Sequence, residues 1–214
     1  MEIIQRLYPL LKEGFYNSSK VFIITLVVSI VMAIPISCAR LSKNKLLSSA
    51  VKTYIYVMRA TPLLLQLMFI FFGLPMLPGV AISLDRFPSI YLAFILNYTA
   101  YFAEIYRGGI QSIDRGQWEG AKVLGLSKTY TFARVIFPQA LYRVFPSISN
   151  EVISLVKDTS LIYILGVTDI LKAAKSVSNT MASILPYLYI GIIYLLIVAI
   201  LTKILEKIEE KVSI

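Results

Sequence analysis

The sequence predicts an all-α membrane protein with five transmembrane helices. Hydrophobic residues make up 57% of the 214 positions and charged residues only 15%. The apolar residues stand in about five blocks, each close to the ~20 residues that a helix needs to cross a bilayer. The net charge of +9 is concentrated in alternate connections between these blocks. This distribution is typical of a membrane protein and argues against a nucleic-acid-binding one.

The distribution of Lys and Arg also predicts the orientation of the chain. The connections after the first and third apolar blocks hold many basic residues, and the connections after the second and fourth hold few. Because basic loops stay in the cytoplasm, this predicts a cytoplasmic C-terminus and an outer N-terminus. Arg6, Lys12 and Lys20, ahead of the first block, weaken that orientation. We expect one transmembrane domain over residues 1–214.

The first segment combines a charged start with an uncharged span. Residues 1–17 mix apolar and charged side chains at helical spacing, which predicts either an amphipathic helix on the membrane surface or a frayed tail. The first span is predicted at 21–40. It contains the single cysteine, Cys38, which we expect to be a buried thiol because it lies in an apolar run. A polar, basic connection is expected at 42–52.

The middle of the chain holds two further spans. The second, at 54–73, should be kinked or broken near its cytoplasmic end. Pro62 has no backbone N–H and biases Thr61 away from helix. A proline-rich outer loop precedes the third span at 88–107. The next connection contains a short polar-faced helix at about 117–125.

The last part of the chain supplies two spans joined by a polar outer connection. The fourth span is predicted at 145–167, the connection at 168–183 and the fifth span at 184–203. A Lys/Glu-rich helical tail follows the fifth span.

Two polar stripes interrupt the apolar spans. Spacings of three, four and seven residues place side chains on one helical face. The stripes are Asn97, Tyr101 and Glu104 in the third span, and Glu151, Ser154 and Asp158 in the fourth. A charged side chain at bilayer depth costs at least about 2.5 to 3.5 kcal/mol, so these groups need partners or water.

Two interpretations of the stripes remain open. Ion pairs, such as Glu104 with Arg107, could simply fix helix packing. Alternatively, the stripes line one wet pocket whose excess of acid favours a ligand with positive charge, while Lys157 or Arg107 meets a carboxylate. The candidate binding residues are Asn97, Tyr101, Glu104, Glu151, Ser154, Lys157, Asp158 and, more weakly, Gln66.

The short helix in the third connection carries a family resemblance. Glu119, Ala121, Gly125 and Pro138 have the spacing of the cytoplasmic loop in membrane subunits of binding-protein-dependent ABC importers. Gly120 departs from the motif, and Val135 and Phe137 replace its Ile and Leu. Because Gly120 loosens a helix by roughly 1 kcal/mol relative to alanine, the rigidity of this helix is in question.

Further stretches resemble the polar amino acid branch of these permeases. They are RATPLLLQLMFIFFGLP at 59–75, AEIYRGGI at 103–110 and KDTSL at 157–161. The resemblance covers about residues 25–171. It implies a type I ABC importer permease fold, a bacterial cell membrane location and uptake of a polar amino acid. With the acid excess of the stripes, we expect a basic one, such as arginine, lysine or histidine.

The resemblance also implies partners. The short helix would be a coupling helix docked on an ATPase, although a charged exposed helix can also be merely solvated. Two permease subunits, as a homodimer or less favourably a heterodimer, would act with two ATPase subunits and an extracytoplasmic solute-binding protein. The coupling residues would be Trp118, Glu119, Gly120, Ala121, Lys122 and Gly125.

The composition argues against catalysis by this chain. Histidine is absent and cysteine occurs once, so no metal site is predicted. No Gly-Lys pair forms a phosphate-binding loop, so we expect no cofactor here, with ATP and Mg²⁺ bound on the partner ATPase. The main alternative is an ion-coupled secondary amino acid transporter or channel. An intramembrane enzyme using Glu151 and Asp158 is disfavoured, because neither histidine nor a metal site accompanies them.

Overall fold

The computed structural model describes residues 2–79 and 82–212, and the regular structure of these residues is entirely helical. Nine α-helices occur in this part of the chain, joined by short π and 3-10 segments. The predicted all-α class is therefore confirmed for the described residues.

The first helix, α1 (Glu2–Arg40), is continuous over 39 residues. For the described residues 2–17, the predicted helix is therefore confirmed and the frayed tail is wrong, while a place on the membrane surface stays a prediction. The N-terminal half of α1 is held by other parts of the chain: Asn17 donates from Nδ2 to the carbonyl oxygen of Thr168 at 2.8 Å. A Cβ atom built on Gly14 would lie 2.5 Å from the carbonyl carbon of Asp169, so only glycine permits this approach.

The cysteine of α1 is exposed, contrary to the expectation of a buried thiol. Ala33 and Ser37, four residues apart, face the core and have no exposed surface. Cys38 follows Ser37 and is turned about 100° from it around the helix. An apolar run in a membrane helix need not be buried within the protein, and Cys38 lies on the exposed side of α1.

The helix α2 (Lys45–Ala60) begins earlier than predicted, so most of the expected polar connection at 42–52 is helical. The side chain of Asn44 accepts hydrogen bonds from the backbone N–H groups of Leu46 and Leu47, which starts the helix. The predicted break near Pro62 is confirmed. The helix α3 (Leu63–Met68) follows Pro62, and the two helices meet at 105°. A π segment (Phe69–Gly73) and a 3-10 turn (Leu74–Met76) complete this region.

The helix α4 (Arg86–Ser112) is the centre of the core and extends beyond the predicted third span at both ends. Phe94, Tyr98 and Phe102 are among the largest fully buried side chains of the protein. They lie one helical turn apart, so one face of α4 is buried along several turns. The neighbours of α4 include α1, α2 and, on another side, α7 (Phe137–Asp158).

Between α4 and α7 the chain forms a short helical excursion. It consists of α5 (Arg115–Val123), α6 (Lys128–Tyr130) and a π segment (Thr131–Ile136). After α7 the chain continues as a 3-10 helix (Thr159–Leu165) that ends at Gly166, where φ is +78°. Glycine adopts this left-handed conformation without steric penalty.

The expected polar connection at 168–183 contains an amphipathic helix, α8 (Ile170–Met181). The fully buried Asp169 accepts hydrogen bonds of 2.9 Å from the N–H groups of Leu171 and Lys172 and thereby caps α8. Burial raises the pKa of Asp169, and these backbone hydrogen bonds oppose that rise. The apolar side of α8 packs with Leu7 of α1 and with Ile190.

The last helix, α9 (Leu185–Val212), contains the predicted fifth span and its helical tail. Among the described residues, two helices are long and apolar enough to cross a membrane: Ile3–Arg40 and Leu185–Lys211. The bent pair formed by α2 with the segment Leu63–Met76 makes a third if it is one span. The count of five spans and the orientation of the termini remain predictions. The helices α4 and α7 carry the polar stripes and are not among these candidates.

Candidate functional site

A cavity of about 570 Å³ opens where the break between α2 and α3 faces α4 and α7. Its volume lies within the ~300 to 1,000 Å³ that is usual for small-molecule sites. The polar side chains that line it are Arg59, Thr61, Asn97, Tyr98, Tyr101, Glu151, Ser154 and Asp158. A second cavity, of about 320 Å³ between α1, α7 and α9, is almost wholly apolar and offers little to orient a polar ligand.

The break at Pro62 forms one wall of the cavity and is held by an amide side chain. Gln66 donates from Nε2 to the carbonyl oxygen of Met58 at 2.9 Å and to Oγ1 of Thr61 at 2.7 Å. The first of these bonds satisfies the carbonyl group of Met58, which lacks a helical partner because Pro62 has no N–H. Gln66 itself is not among the residues that line the cavity. Its place is behind the wall, where it fixes the shape of the break.

Asn97 connects this wall to α4. Its Nδ2 atom donates to the carbonyl oxygen of Met58 at 2.9 Å and to Oε1 of Gln66 at 3.0 Å. The side chain is buried and lines the cavity. Both amide protons are therefore used inside the protein, and the carbonyl oxygen of the side chain is the group left for a ligand.

The opposite wall comes from α7. Glu151, Ser154 and Asp158 line the cavity together, as their spacing predicted. Tyr98 of α4 donates from its hydroxyl to Oδ2 of Asp158 at 2.7 Å. The tyrosine thus holds one of the two acidic side chains of the site and links α4 to α7.

The sequence-based prediction missed Arg59, which lines the cavity at the end of α2. Its guanidinium carbon lies 5.3 Å from the centre of the Tyr101 ring, a cation–π contact. By its charge alone, Arg59 resembles the basic residues of the first connection. Its position two residues before the Thr61–Pro62 break is the signal that could have indicated a place at a cavity wall.

Glu104 forms an ion pair outside the set of cavity-lining residues. Arg107 donates to it from Nε at 2.9 Å and from Nη2 at 2.5 Å. For Glu104, the interpretation as a packing ion pair is the one that the structure matches. Lys157 is exposed and is also outside the lining set. The predicted site residues that the cavity brings together are Asn97, Tyr101, Glu151, Ser154 and Asp158.

The cavity has an excess of negative charge. Two carboxylates, Glu151 and Asp158, face one guanidinium, Arg59, which gives a formal charge of −1 when all three are ionised. Arg59 attracts Glu151 electrostatically. Such an arrangement can bind a ligand that carries both a carboxylate and positive charge.

The helix α5 presents a second candidate surface. Asp114 caps it by accepting from the N–H of Gly116 at 2.6 Å, so Gly116 lies inside the first turn and does not interrupt the helix. Gly125, with φ of +72°, follows the end of the helix as predicted. Ala121 is buried against the protein. The outward residues are Trp118, Glu119, Gly120, Lys122, Val123 and Leu124.

The apolar part of this surface was not predicted in full. Val123 is 87% exposed and Leu124 is 77% exposed, which is unusual for adjacent aliphatic side chains. Trp118 is 36% exposed. Val123 and Leu124 place two adjacent apolar side chains on the exposed surface beside the basic Lys122, a feature often found at interaction surfaces.

Sequence comparisons place the chain among transport proteins. It is 34% identical over 206 residues to the arginine transport system permease protein ArtQ of Bacillus subtilis, covering 96% of this chain and 93% of ArtQ. It is 34% identical over 211 residues to the L-cystine transport system permease protein TcyB of Bacillus subtilis, covering 98% of this chain and 89% of TcyB.

A solved structure described as an amino acid ABC transporter with histidines superposes on this chain with a TM-score of 0.85. The two are 30% identical, and the match covers 95% of this chain and 94% of the other. The fold is therefore that of a type I ABC importer permease. The sequence profile of the family described as "Binding-protein-dependent transport system inner membrane component" matches residues 25–214. The chain belongs to this family of inner membrane transport components.

Proposed function

We propose that this chain is the permease subunit of an ATP-driven importer for an amino acid with a cationic side chain. The observation that carries the proposal is the cavity in which Glu151 and Asp158 outnumber Arg59. The relatives named for arginine and cystine transport support an amino acid as the substrate class. They differ in substrate, so the choice of a basic amino acid rests on the charges of the cavity.

Charge balance supports a basic substrate. Arginine or lysine carries one carboxylate, one α-ammonium group and one cationic side chain, a net charge of +1. Such a ligand neutralises the cavity, whereas a neutral amino acid leaves the formal charge at −1. Opposite charges attract more strongly in a partly buried cavity than in bulk water, so this balance should favour the basic ligand.

Uptake by the complete transporter in proteoliposomes tests the proposal. We expect labelled arginine, lysine or histidine to be taken up in preference to glutamine and cystine. Glu151→Gln and Asp158→Asn should each reduce uptake of the basic substrate at least about tenfold, as expected for loss of a charged hydrogen bond. Glu206→Gln, at an exposed position near the end of α9, is the matched control. Preferential uptake of glutamine or cystine would contradict the assignment of a basic substrate.

Energy would reach this chain from a separate ATPase that binds ATP and Mg²⁺ and docks on α5. The exposed Trp118, Val123 and Leu124 supply apolar contact, while Glu119 and Lys122 supply charge. A Cβ on Gly120 would meet no atom within 4 Å, so this side of α5 is open to a neighbouring backbone. Docking would let closure of the ATPases change the accessibility of the cavity, a two-state equilibrium biased by nucleotide.

Site-directed cross-linking tests this docking. Since Cys38 is exposed, it must first be replaced by serine so that a single introduced thiol reacts. Cysteines at Trp118 or Lys122 should then cross-link to the ATPase in intact cells, whereas a cysteine at Glu210 in the helical tail should not. Absence of ATPase adducts at both α5 positions would contradict the coupling role.

The proposed assembly has two permease subunits, two ATPase subunits and a solute-binding protein. We favour two copies of this chain, with five spans each, the N-terminus outside and the C-terminus in the cytoplasm. Native mass spectrometry of the purified complex counts the subunits.

Reporter fusions in the connections test the orientation. Uptake that persists on ATP depletion, with ion gradients held constant, would instead support an ion-coupled secondary transporter.

A further inference from the structure

We propose that Arg59 recognises the α-carboxylate of the substrate and makes the transporter selective for amino acids over the corresponding amines. This inference rests on the proposed function and adds a specificity-determining residue to its cavity. It assigns the carboxylate to a side chain that the sequence-based prediction had left out, in place of Lys157 or Arg107.

The first argument is that Arg59 is available to a ligand. In the described part of the chain, its guanidinium takes part in no hydrogen bond and no ion pair. Its contact with the Tyr101 ring, at 5.3 Å, uses the face of the aromatic ring. The N–H donors at the edge of the guanidinium are therefore unused, and this edge matches a carboxylate in a bidentate geometry.

The second argument is that the other two cations are unsuitable. Arg107 is occupied by Glu104 through two hydrogen bonds and also donates to Gln111. Lys157 is outside the set of cavity-lining residues. Arg59 is therefore the one cation among the described residues that line the cavity.

The third argument is the separation of charges across the cavity. Arg59 belongs to the wall made by the end of α2, and Glu151 and Asp158 belong to the wall made by α7. A ligand whose carboxylate meets Arg59 can extend its ammonium and side-chain cation toward the two carboxylates. An amine without the carboxylate carries one more positive charge and leaves Arg59 facing a cation or nothing.

Tyr101 keeps Arg59 in this position. The ring of Tyr101 restricts the guanidinium by the cation–π contact. Tyr101 is therefore a positioning residue for Arg59. A preorganised guanidinium loses less conformational freedom on binding, so the selectivity gained from one carboxylate is larger.

Ligand binding to the purified permease–ATPase complex, without the solute-binding protein, tests the inference. The probes are labelled arginine, lysine and glutamine, each competed with its unlabelled self or with its decarboxylated amine. In the wild-type complex we expect the amine of the bound amino acid to compete about 10- to 100-fold more weakly, the range of a charged hydrogen-bonded contact.

Arg59→Met should weaken binding of the amino acid and leave binding of the amine unchanged. The ratio of the amine's inhibition constant to that of the amino acid should therefore approach one. Arg59→Lys should retain part of the discrimination, because it keeps the charge without the bidentate fork. Lys20→Met is the control, since Lys20 lies 5.2 Å from the Phe87 ring outside the cavity and its loss should not alter the ratio.

The outcomes separate this inference from the proposed function. Equal competition by the amine in the wild type, or an unchanged ratio in Arg59→Met, would overturn the role of Arg59. If the complex binds glutamine and no basic amino acid, the basic substrate is contradicted, and the same ratio measured with glutamine still tests Arg59. Failure to bind any of the three amino acids would contradict both.

Discussion

The hydroxyl of Tyr98 donates a hydrogen bond of 2.7 Å to Oδ2 of Asp158, which joins α4 to α7 across 60 positions of sequence. Tyr98 is 2% exposed, so its hydroxyl has little access to other donors or acceptors. This bond holds an acidic side chain at the cavity, where the proposed cationic ligand would bind.

Removing this hydroxyl should destabilise the protein. In Tyr98→Phe, Asp158 loses a charge-assisted hydrogen bond, and we expect a loss of about 1.5 to 3 kcal/mol in the free energy of unfolding. Thermal unfolding of the purified complex measures it. Tyr101→Phe is the control, because its ring and its contact with Arg59 remain. Equal stability of both variants would show that the Tyr98–Asp158 bond contributes nothing.

Asn97 and Gln66 should act as one unit. They share a hydrogen bond of 3.0 Å, and both donate to the carbonyl oxygen of Met58 at the end of α2. A double-mutant cycle with Asn97→Ala and Gln66→Ala should give a coupling energy of about 0.5 to 3 kcal/mol in thermal unfolding. Additive effects would contradict a shared network at the helix break.

Gly14 should not accept a larger side chain. In Gly14→Ala the new Cβ meets the backbone of Asp169 at 2.5 Å, so α1 and α8 must separate. We expect a loss of about 1 to 3 kcal/mol, measured as a lower unfolding temperature. Gly191→Ala on α9, where a Cβ meets nothing within 4 Å, is the matched control and should be neutral or stabilising.

Substitution of Gly120, within α5, and of Gly125, just beyond its end, should change the stability of α5 in opposite directions. Gly120→Ala adds a methyl group in open space within a helix and should stabilise α5 by about 0.5 to 1 kcal/mol. Gly125→Ala forces a side chain into a φ of +72° and should destabilise by about 1 to 2 kcal/mol. Amide hydrogen exchange of α5 measures both. A shared sign would contradict the described backbone.

Gly120→Ala also tests the proposed docking surface. If an ATPase backbone lies close to α5, the added methyl group should lower uptake although it stabilises the helix. Lys128→Ala, at an exposed position outside α5, serves as the comparison. Unchanged uptake in Gly120→Ala would show that no backbone approaches this side of the helix.

Sequence periodicity could predict those features that depend on neighbours along one helix. The stripe of Glu151, Ser154 and Asp158 reaches the cavity intact because residues three and four apart share a helical face. The break at Pro62 followed from its missing N–H. Both properties depend only on residues close together along the chain, so they can be predicted from the sequence alone.

Features that depend on packing between distant segments could not be predicted in this way. The N-terminal half of α1 has charged residues typical of a surface helix, yet Asn17 and Gly14 bring it against the start of α8. Arg59 belongs to the cavity only because the chain turns by 105° beyond it. The periodicity of a single segment does not specify the direction in which the chain turns after it.

The length of α1 sets a geometrical condition on the transporter. At 1.5 Å per residue, its 39 residues form a rod about 58 Å long, while the oily layer of a bilayer is about 30 Å thick. Even at a steep tilt of about 40°, roughly 19 Å of the rod must extend beyond the hydrocarbon layer. One end of α1 therefore reaches at least the headgroup region, and a membrane-impermeant thiol reagent applied from each side in turn would show from which side that end can be reached.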